Sequence, residues 1–331
     1  MEQMQYTQLG RTGLKVSRLV LGTMNFGPHT GETDSHVIMD AALDAGINFF
    51  DTANVYGWGP DKGRTEEIIG SWFAQGGGRR DKVVLATKCY GSMQTDDGPV
   101  WPNNDKLSAV NIRRAVEASL KRLGTDYIDV YQFHHVDRAT PWEEIWQAID
   151  VLVKQGKILY AASSNHAGWH IAQANETAAR LGMLGLVSEQ CLYNLTERRA
   201  EMEVIPAARA YGLGVIPWSP LGGGLLGGAL RKAASGGGTR SLAALERTKI
   251  SREQIERYEK LCDKRDLEPG EVALAWLLAQ PGVTGPIVGP RDLAQLESAV
   301  RAVGLELGEE LLAELDEIFP GPGPSPEAFA W

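Results

Sequence analysis

The chain has 331 residues, 43% hydrophobic and 23% charged, which supplies a substantial core and excludes a coiled coil, a collagen or a wholly disordered chain. Lys and Arg number 33 against 42 Asp and Glu, and a net charge of −9 argues against non-specific nucleic-acid binding, which needs a basic surface. Cys89, Cys191 and Cys262 are scattered and odd in number, unlike a disulfide framework or a zinc site, so a reducing, cytoplasmic setting is expected. The opening MEQMQYTQLGRTGLKVS lacks the apolar core of a secretory signal, and no apolar run reaches the ~18 residues of a membrane span. Neither export nor membrane association is expected.

In chain order, residues 5–9 and 14–16 flank Gly-Arg-Thr-Gly and read as a small hairpin. Eight β-type runs follow, at 18–21, 48–51, 83–87, 128–133, 159–163, 186–189, 214–218 and 285–288. Between them lie helical patterns at 34–45, 65–75, 109–123, 142–155, 169–181 and 201–211. The seventh connection carries two more, at 252–265 and 270–279, and a last helix is expected at 293–303. Glycines 76–78 with Arg79 and Arg80 read as a simple turn from helix to strand.

Strands alternating with helices at roughly 34-residue spacing predict a parallel sheet covered by helices. A doubly wound open sheet would show a GxGxxG turn after its first strand, but that run ends Leu-Gly-Thr-Met-Asn-Phe-Gly. The expectation is therefore a single (β/α)₈ barrel over residues 1–319. A Pro/Gly-rich, non-helical tail follows at 320–331, with Phe329 and Trp331 available to dock on the body. The long connections at 89–108 and 221–249 are expected to be lids or disordered segments.

Barrel active sites occupy the C-terminal strand ends. Six runs here end in polar residues: Asp51, Lys88, His134, Ser164 with Asn165, Gln190, and Ser219. Asp51 and Lys88 close apolar runs where a lone charge would be costly, so they are expected to pair. Tyr56, in the loop FDTANVYGWG, is near enough to fold back over the rim. A lysine cation beside it is expected to lower the phenol's pKa and make it a serviceable general acid. Strand alternation turns one of His134 and His135 inward without saying which. The remaining histidines show no HExxH-like spacing, and no metal is expected. Val55, Trp58, Tyr90, Trp101 and the connection after Leu221 are candidates to line an aromatic-rich substrate pocket.

The ordered segments FDTANVYG, LATK, DVYQFH, SSN, SEQCLYN and PWSPLGGG resemble the aldo-keto reductases along nearly the whole chain. The resemblance implies a catalytic tetrad of Asp51, Tyr56, Lys88 and His134, with His134 chosen over His135 because it directly follows the strand's last apolar residue, Phe133. It further implies an NADPH/NADP⁺ cofactor with Ser164, Asn165 and Gln190 on the nicotinamide and Trp218 stacked against it. Ser219, Pro220, Leu221 and Gly223 would wrap the pyrophosphate, and Gly22, Thr23 and Met24 would adjoin the cofactor with Asp51. IVGPRDLAQ resembles a site for the adenosine 2′-phosphate, through Gly289, Arg291 and Gln295. A guanidinium beside a helix N-terminus suits such an anion. Ser298 and Ala299 depart from the Glu and Asn with which many relatives hold adenine.

Stretches such as YGWGPDKGRTEEIIG and SSNHAGWHIAQA further resemble actinobacterial reductases of nucleotide-linked deoxyhexoses. The implied function is NADPH-dependent reduction of a small carbonyl substrate with Tyr56 as general acid. For a conjugated keto-sugar, hydride would add at the distal carbon and the same donors would stabilise an enolate. Two rivals stand beside it. One is a cofactor-sensing regulatory protein of the potassium-channel β-subunit type; the other is a barrel isomerase or lyase without nicotinamide. Nothing in the sequence fixes the oligomeric state.

Overall fold

Parallel strands need crossover connections, and here every strand-to-strand step is long enough to hold a helix. The computed structural model describes residues 4–96, 98–236, 239–246 and 248–323; the Phe329 and Trp331 end of the tail lies outside them. Strands β1 (Tyr6–Gln8) and β2 (Lys15–Ser17) form the antiparallel hairpin. The eight parallel strands are β3 (Val20–Gly22), β4 (Phe49–Asp51), β5 (Val84–Cys89), β6 (Ile128–Phe133), β7 (Ile158–Ser164), β8 (Leu186–Gln190), β9 (Gly214–Val215) and β10 (Ile287–Val288). They lie in the order β10-β3-β4-β5-β6-β7-β8-β9. Val215 bridges Val283, and the Ile287 amide donates to the Pro217 carbonyl at 2.8 Å, which joins the two ends of the sheet. The fold is a (β/α)₈ barrel.

The helices are α1 (Glu32–Asp44), α2 (Arg64–Ala74), α3 (Arg79–Lys82), α4 (Ala109–Leu123), α5 (Trp142–Lys154), α6 (Gly168–Arg180) and α7 (Val204–Ala210). After β9 come α8 (Ala229–Ala234), α9 (Thr239–Glu246), α10 (Arg252–Lys264) and α11 (Pro269–Ala279), and after β10 α12 (Leu293–Arg301) and α13 (Glu309–Ile318). Local chemistry sets several ends. Ser108 caps α4 through the Asn111 amide, and Gly124 at φ 61° ends that helix in the left-handed conformation. Ser251 and Gln254 form a capping box on α10.

The barrel interior is filled by Val20, Phe49, Val84, Val130, Ile216 and Ile287, all buried. Leu9 and Val16 of the hairpin join the same cluster and plug its N-terminal end. Each such side chain contributes about 1.5–3 kcal/mol by leaving water. A second, larger cluster fills the space between sheet and helices, with Trp72, Trp146 and Trp276 almost wholly buried.

Four expectations are corrected. The run at 214–218 pairs regularly only to Val215, because Pro217 has no N–H to give. The pattern at 201–211 becomes helical only from Val204, after a 3₁₀ turn at Arg199–Glu201. The connection after Leu221 is not an open lid among its described residues: it holds a 3₁₀ turn (Gly222–Gly224), α8 and α9. Buried Glu259 of α10 anchors it by accepting the Leu230 and Arg231 amides at 2.8 and 3.0 Å, capping the N-terminus of α8. Finally, α12 is not the last helix, since α13 follows and buries Leu311, Leu315 and Ile318 at helical spacing. Glycines 76–78 do form the turn, all at positive φ, but Arg79–Lys82 then make one helical turn.

Candidate active site

At the C-terminal rim the strands deliver their polar ends to one place. Phe49 and Asp51, Ala86 and Lys88, and Val130, Gln132 and His134 each share one strand face by alternation, with an apolar member in the barrel interior. Asp51 and Lys88 are both buried, and their side chains meet at 2.6 Å. Lys88 Nζ also donates to the Thr52 carbonyl at 2.8 Å and to the Tyr56 hydroxyl at 3.2 Å, so its three hydrogens have three acceptors. Its strand is fixed from outside by buried Glu66, which accepts from Thr87 at 2.6 Å and pairs with Arg122 at 2.7 Å.

The loop carrying Tyr56 is a tight structure. The Tyr56 amide donates to Ala53 O and the Gly63 amide to Tyr56 O, at 3.1 and 3.0 Å. Gly57 sits at φ 111°, and a Cβ there would come within 1.9 Å of Asp61 O, so only glycine fits. Trp58 follows at φ 63°, its indole 5.6 Å from the Tyr56 ring. The phenol does not follow the expectation for its acidity. Burial raises the Tyr56 pKa above its ordinary value, and the pull of Lys88 downward only partly offsets this. The phenol is thus held protonated. Burial alone would lower the Lys88 pKa, but Asp51 and Tyr56 keep it above the ordinary lysine value.

His134 stands 6.1 Å from the Tyr56 ring, edge to face, and His135 stacks on it at 5.0 Å while also meeting Tyr90. Of the two, His134 is on the site side. Burial, Lys88 and His135 push its pKa down to about 2, which leaves a neutral imidazole.

The residues expected to hold nicotinamide are contiguous with this cluster. Asn165 (φ 59°) donates to His134 O at 3.1 Å and to Ser164 Oγ at 3.0 Å, and its own amide oxygen accepts from Trp218 Nε1 at 3.0 Å. Gln190 Nε2 donates to Asp51 Oδ1 at 2.8 Å. Ser219 follows Trp218 at φ 52°. Trp58, Asn165 and Ser219 are three of the six non-glycine residues at positive φ among those described, and such strain gathers at functional sites. Pro220 is buried and Leu221 half-buried, and Gly222, Gly223 and Gly224 all take positive φ, which keeps that wall free of side chains.

On the opposite wall, a Cβ on Gly22 would come within 2.5 Å of Ile287, Thr23 donates to Asp51 O at 2.9 Å, and Met24 is exposed at the rim. At the far end, Gly289 O accepts from Asn25 and the Arg291 amide donates to Gln295 Oε1. Asp292 caps α12 through the Gln295 amide. The Gln295 side chain therefore works in this cap, bonded also to Asp292 Oδ2 at 2.9 Å. Ser298 donates to Glu271, and Ala299 is buried. Of the pocket candidates, Val55 is buried and Tyr90 half-buried, whereas Trp58 and Trp101 are exposed.

Two buried residues escaped the sequence reading. Gln132 donates to Asp51 Oδ1 at 2.8 Å from inside β6, a polar residue two before His134 on the strand face that carries Val130 in the barrel interior. Glu189, with Ser163 and the His166 amide as donors, lies behind Asn165 and holds the turn after β7. A carboxylate inside a run expected to be a barrel strand, LVSEQ, was its signal.

The family model for the aldo/keto reductase family matches residues 18–319, from the first barrel strand through α13. The chain belongs to the aldo/keto reductase family. Relatives of this aldo/keto reductase cover nearly its whole length. An uncharacterized oxidoreductase, YrpG, of Bacillus subtilis (strain 168) is 55% identical over 99% of this chain and 100% of its own. The versiconal hemiacetal acetate reductase of Aspergillus parasiticus is 35% identical over 95% and 96%. A probable voltage-gated potassium channel subunit beta of Arabidopsis thaliana is 31% identical over 98% and 100%. The fold and the oxidoreductase class follow from this membership. Among the described residues no helix is long and apolar enough to cross a membrane, and no three His, Cys, Asp or Glu side chains are grouped as a metal site requires.

Proposed function

We propose that this aldo/keto reductase is an NADPH-dependent reductase of small carbonyl compounds, with Tyr56 as general acid. One observation carries the reading: the Lys88 ammonium touches both a buried carboxylate, Asp51, and a buried phenol, Tyr56, at the mouth of the barrel. The residues at hand suit the cofactor. Ser164, Asn165 and Gln190 offer amide and hydroxyl groups fitted to a carboxamide, and Trp218 lies beside them, tied to Asn165. The side-chain-free backbone of Gly222–Gly224 suits close approach of a pyrophosphate, and Arg291 at the start of α12 suits a 2′-phosphate. When bound, the reduced nicotinamide supplies the hydride.

The protein's part is proton delivery and orientation. Tyr56 hands its hydroxyl proton to the carbonyl oxygen as that oxygen gains charge, and Lys88 beside it stabilises the phenolate left behind. Asp51 keeps Lys88 charged and placed. His134, neutral, donates a hydrogen bond to the same oxygen without competing for its proton. Gly57 keeps the loop sharp enough for Tyr56 to face Lys88.

Within this class we include nucleotide-linked deoxyhexoses among the candidate substrates, on the strength of the segments beginning YGWGPDKG and SSNHAGWH. The buried free thiols of Cys89, Cys191 and Cys262 fit a reducing cytoplasm. The test is oxidation of NADPH followed at 340 nm with a panel of aldehydes, ketones and keto-sugars. Turnover of at least one panel member is expected. Tight NADPH binding with no turnover across the panel would favour the second reading, a cofactor-sensing regulatory protein, which the similarity to the plant channel subunit supports.

A further inference from the structure

A buried carboxylate is stable only if both oxygens are satisfied. Asp51 Oδ2 has Lys88; Asp51 Oδ1 has two neutral amides, Gln132 Nε2 and Gln190 Nε2, each at 2.8 Å. The amides are also joined, since Gln190 Nε2 donates to Gln132 Oε1 at 3.1 Å. The carboxylate accepts only, so it dictates which way both amides point. With its nitrogen turned to Asp51 and Gln132, Gln190 presents its oxygen away from them. Gln132 is wholly buried and belongs to none of the groups expected to touch cofactor or substrate.

We propose that Gln132 is a positioning residue for this site: it shares the charge of Asp51 and locks the amide of Gln190 in the orientation that offers an oxygen acceptor to the cofactor groove. It acts through Asp51 on the Lys88–Tyr56 pair, and through Gln190 on the cofactor. The inference rests on the reductase reading given above. The charged and titratable groups facing this network are Asp51 from β4, Tyr56 from the loop after β4, Lys88 from β5 and His134 from β6; the β7 and β8 ends face it with Ser164 and Gln190, while Glu189 of β8 turns away to Ser163 and the His166 amide and its titration is common to wild type and variants.

The experiment compares the full-length wild-type chain with Gln132→Leu and Gln132→Glu. It measures kcat and KM for one turned-over carbonyl from pH 5.5 to 9, NADPH affinity by fluorescence over the same range, and thermal unfolding. Gln132→Leu removes a donor to a charged acceptor and should lower kcat about tenfold to a hundredfold, with the carbonyl KM within about twofold. Gln132→Glu sets a second carboxyl against Asp51, and two such groups hold one proton between them until the pH rises. At low pH the new carboxyl donates as the amide does. Its kcat relative to wild type should therefore approach unity near pH 5.5 and fall at least about tenfold by pH 9.

Variants that keep the wild-type kcat and pH profile overturn the proposal. Variants that lose thermal stability and rate together, with an unaltered pH profile, overturn it as well, because that marks a purely structural role. If the wild type binds NADPH but reduces nothing, the functional reading falls. The positioning of Gln190 is then judged by NADPH affinity alone: pH dependence in Gln132→Glu that the wild type lacks upholds it, and a flat profile overturns it.

Discussion

The ammonium of Lys88 lies 3.2 Å from the hydroxyl of Tyr56, and both residues are buried. Burial wins over the cation at the phenol, so Tyr56 keeps its proton at neutral pH and releases it only when an acceptor nearby gains negative charge. Tyr56→Phe deletes that proton and little else. It should lower kcat by about two to four orders of magnitude, with NADPH affinity within about twofold of wild type. Steady-state kinetics and a fluorescence titration check both halves, and an unchanged kcat removes Tyr56 as the acid.

Lys88→Met carries a different signature. It strands the Asp51 carboxylate with amide partners only, and breaking a buried pair from one side costs about 3–5 kcal/mol. Chemical denaturation should show that loss, and Asp51→Asn combined with Lys88→Met should recover part of it. Failure of the double variant to recover any stability would mean that the pair is not coupled.

Arg291 gives a prediction about cofactor choice. Arg291→Ala should weaken NADPH binding about tenfold or more and leave NADH within about twofold, because only NADPH carries the 2′-phosphate that a guanidinium would grip. Parallel titrations with the two cofactors decide it; equal losses would take the phosphate away from Arg291.

Glu189 gives a pH prediction with a definite sign. Burial raises its pKa to about 8 in the folded protein, against about 4.3 for a free glutamate. Between those values the folded state binds more protons than the unfolded one, so this group's contribution is fully present below pH ~4.3 and is lost as the pH climbs through about 8. Glu189→Gln removes that loss. Its melting temperature relative to wild type should rise by a few degrees, about 2–4 °C per kcal/mol, from pH 5 to pH 8. A difference that is flat with pH would show that Glu189 is ionised throughout.

Much of this was legible in the residues. The run at 128–133 matches β6 and the pattern at 109–123 matches α4, because a short run rich in β-branched and aromatic residues and a Ser-capped, Gly-ended amphipathic stretch each admit one reading. Asp51 and Lys88 were legible as a pair because neither charge is tolerable alone in its strand. The Tyr56 pKa was not, since its direction depends on how completely the folded loop buries the ring. Gln132 was passed over for want of charge, although its place two residues before His134 on one strand face marked it. Helices α8 and α9 were hidden because glycine-rich sequence reads as loop, and what orders α8 is a carboxylate about 30 residues further on, Glu259.

The barrel is sealed by its first and last strands together, with Ile287 reaching Pro217 on one side and Val20 on the other. A polypeptide emerging from the ribosome therefore holds Asp51, Lys88, His134 and Gln190 long before it owns the stave that completes the cask. The closing pair, Val20 with Ile287, lies about 270 residues apart along the chain, and a contact so distant in sequence is among the slow ones to form.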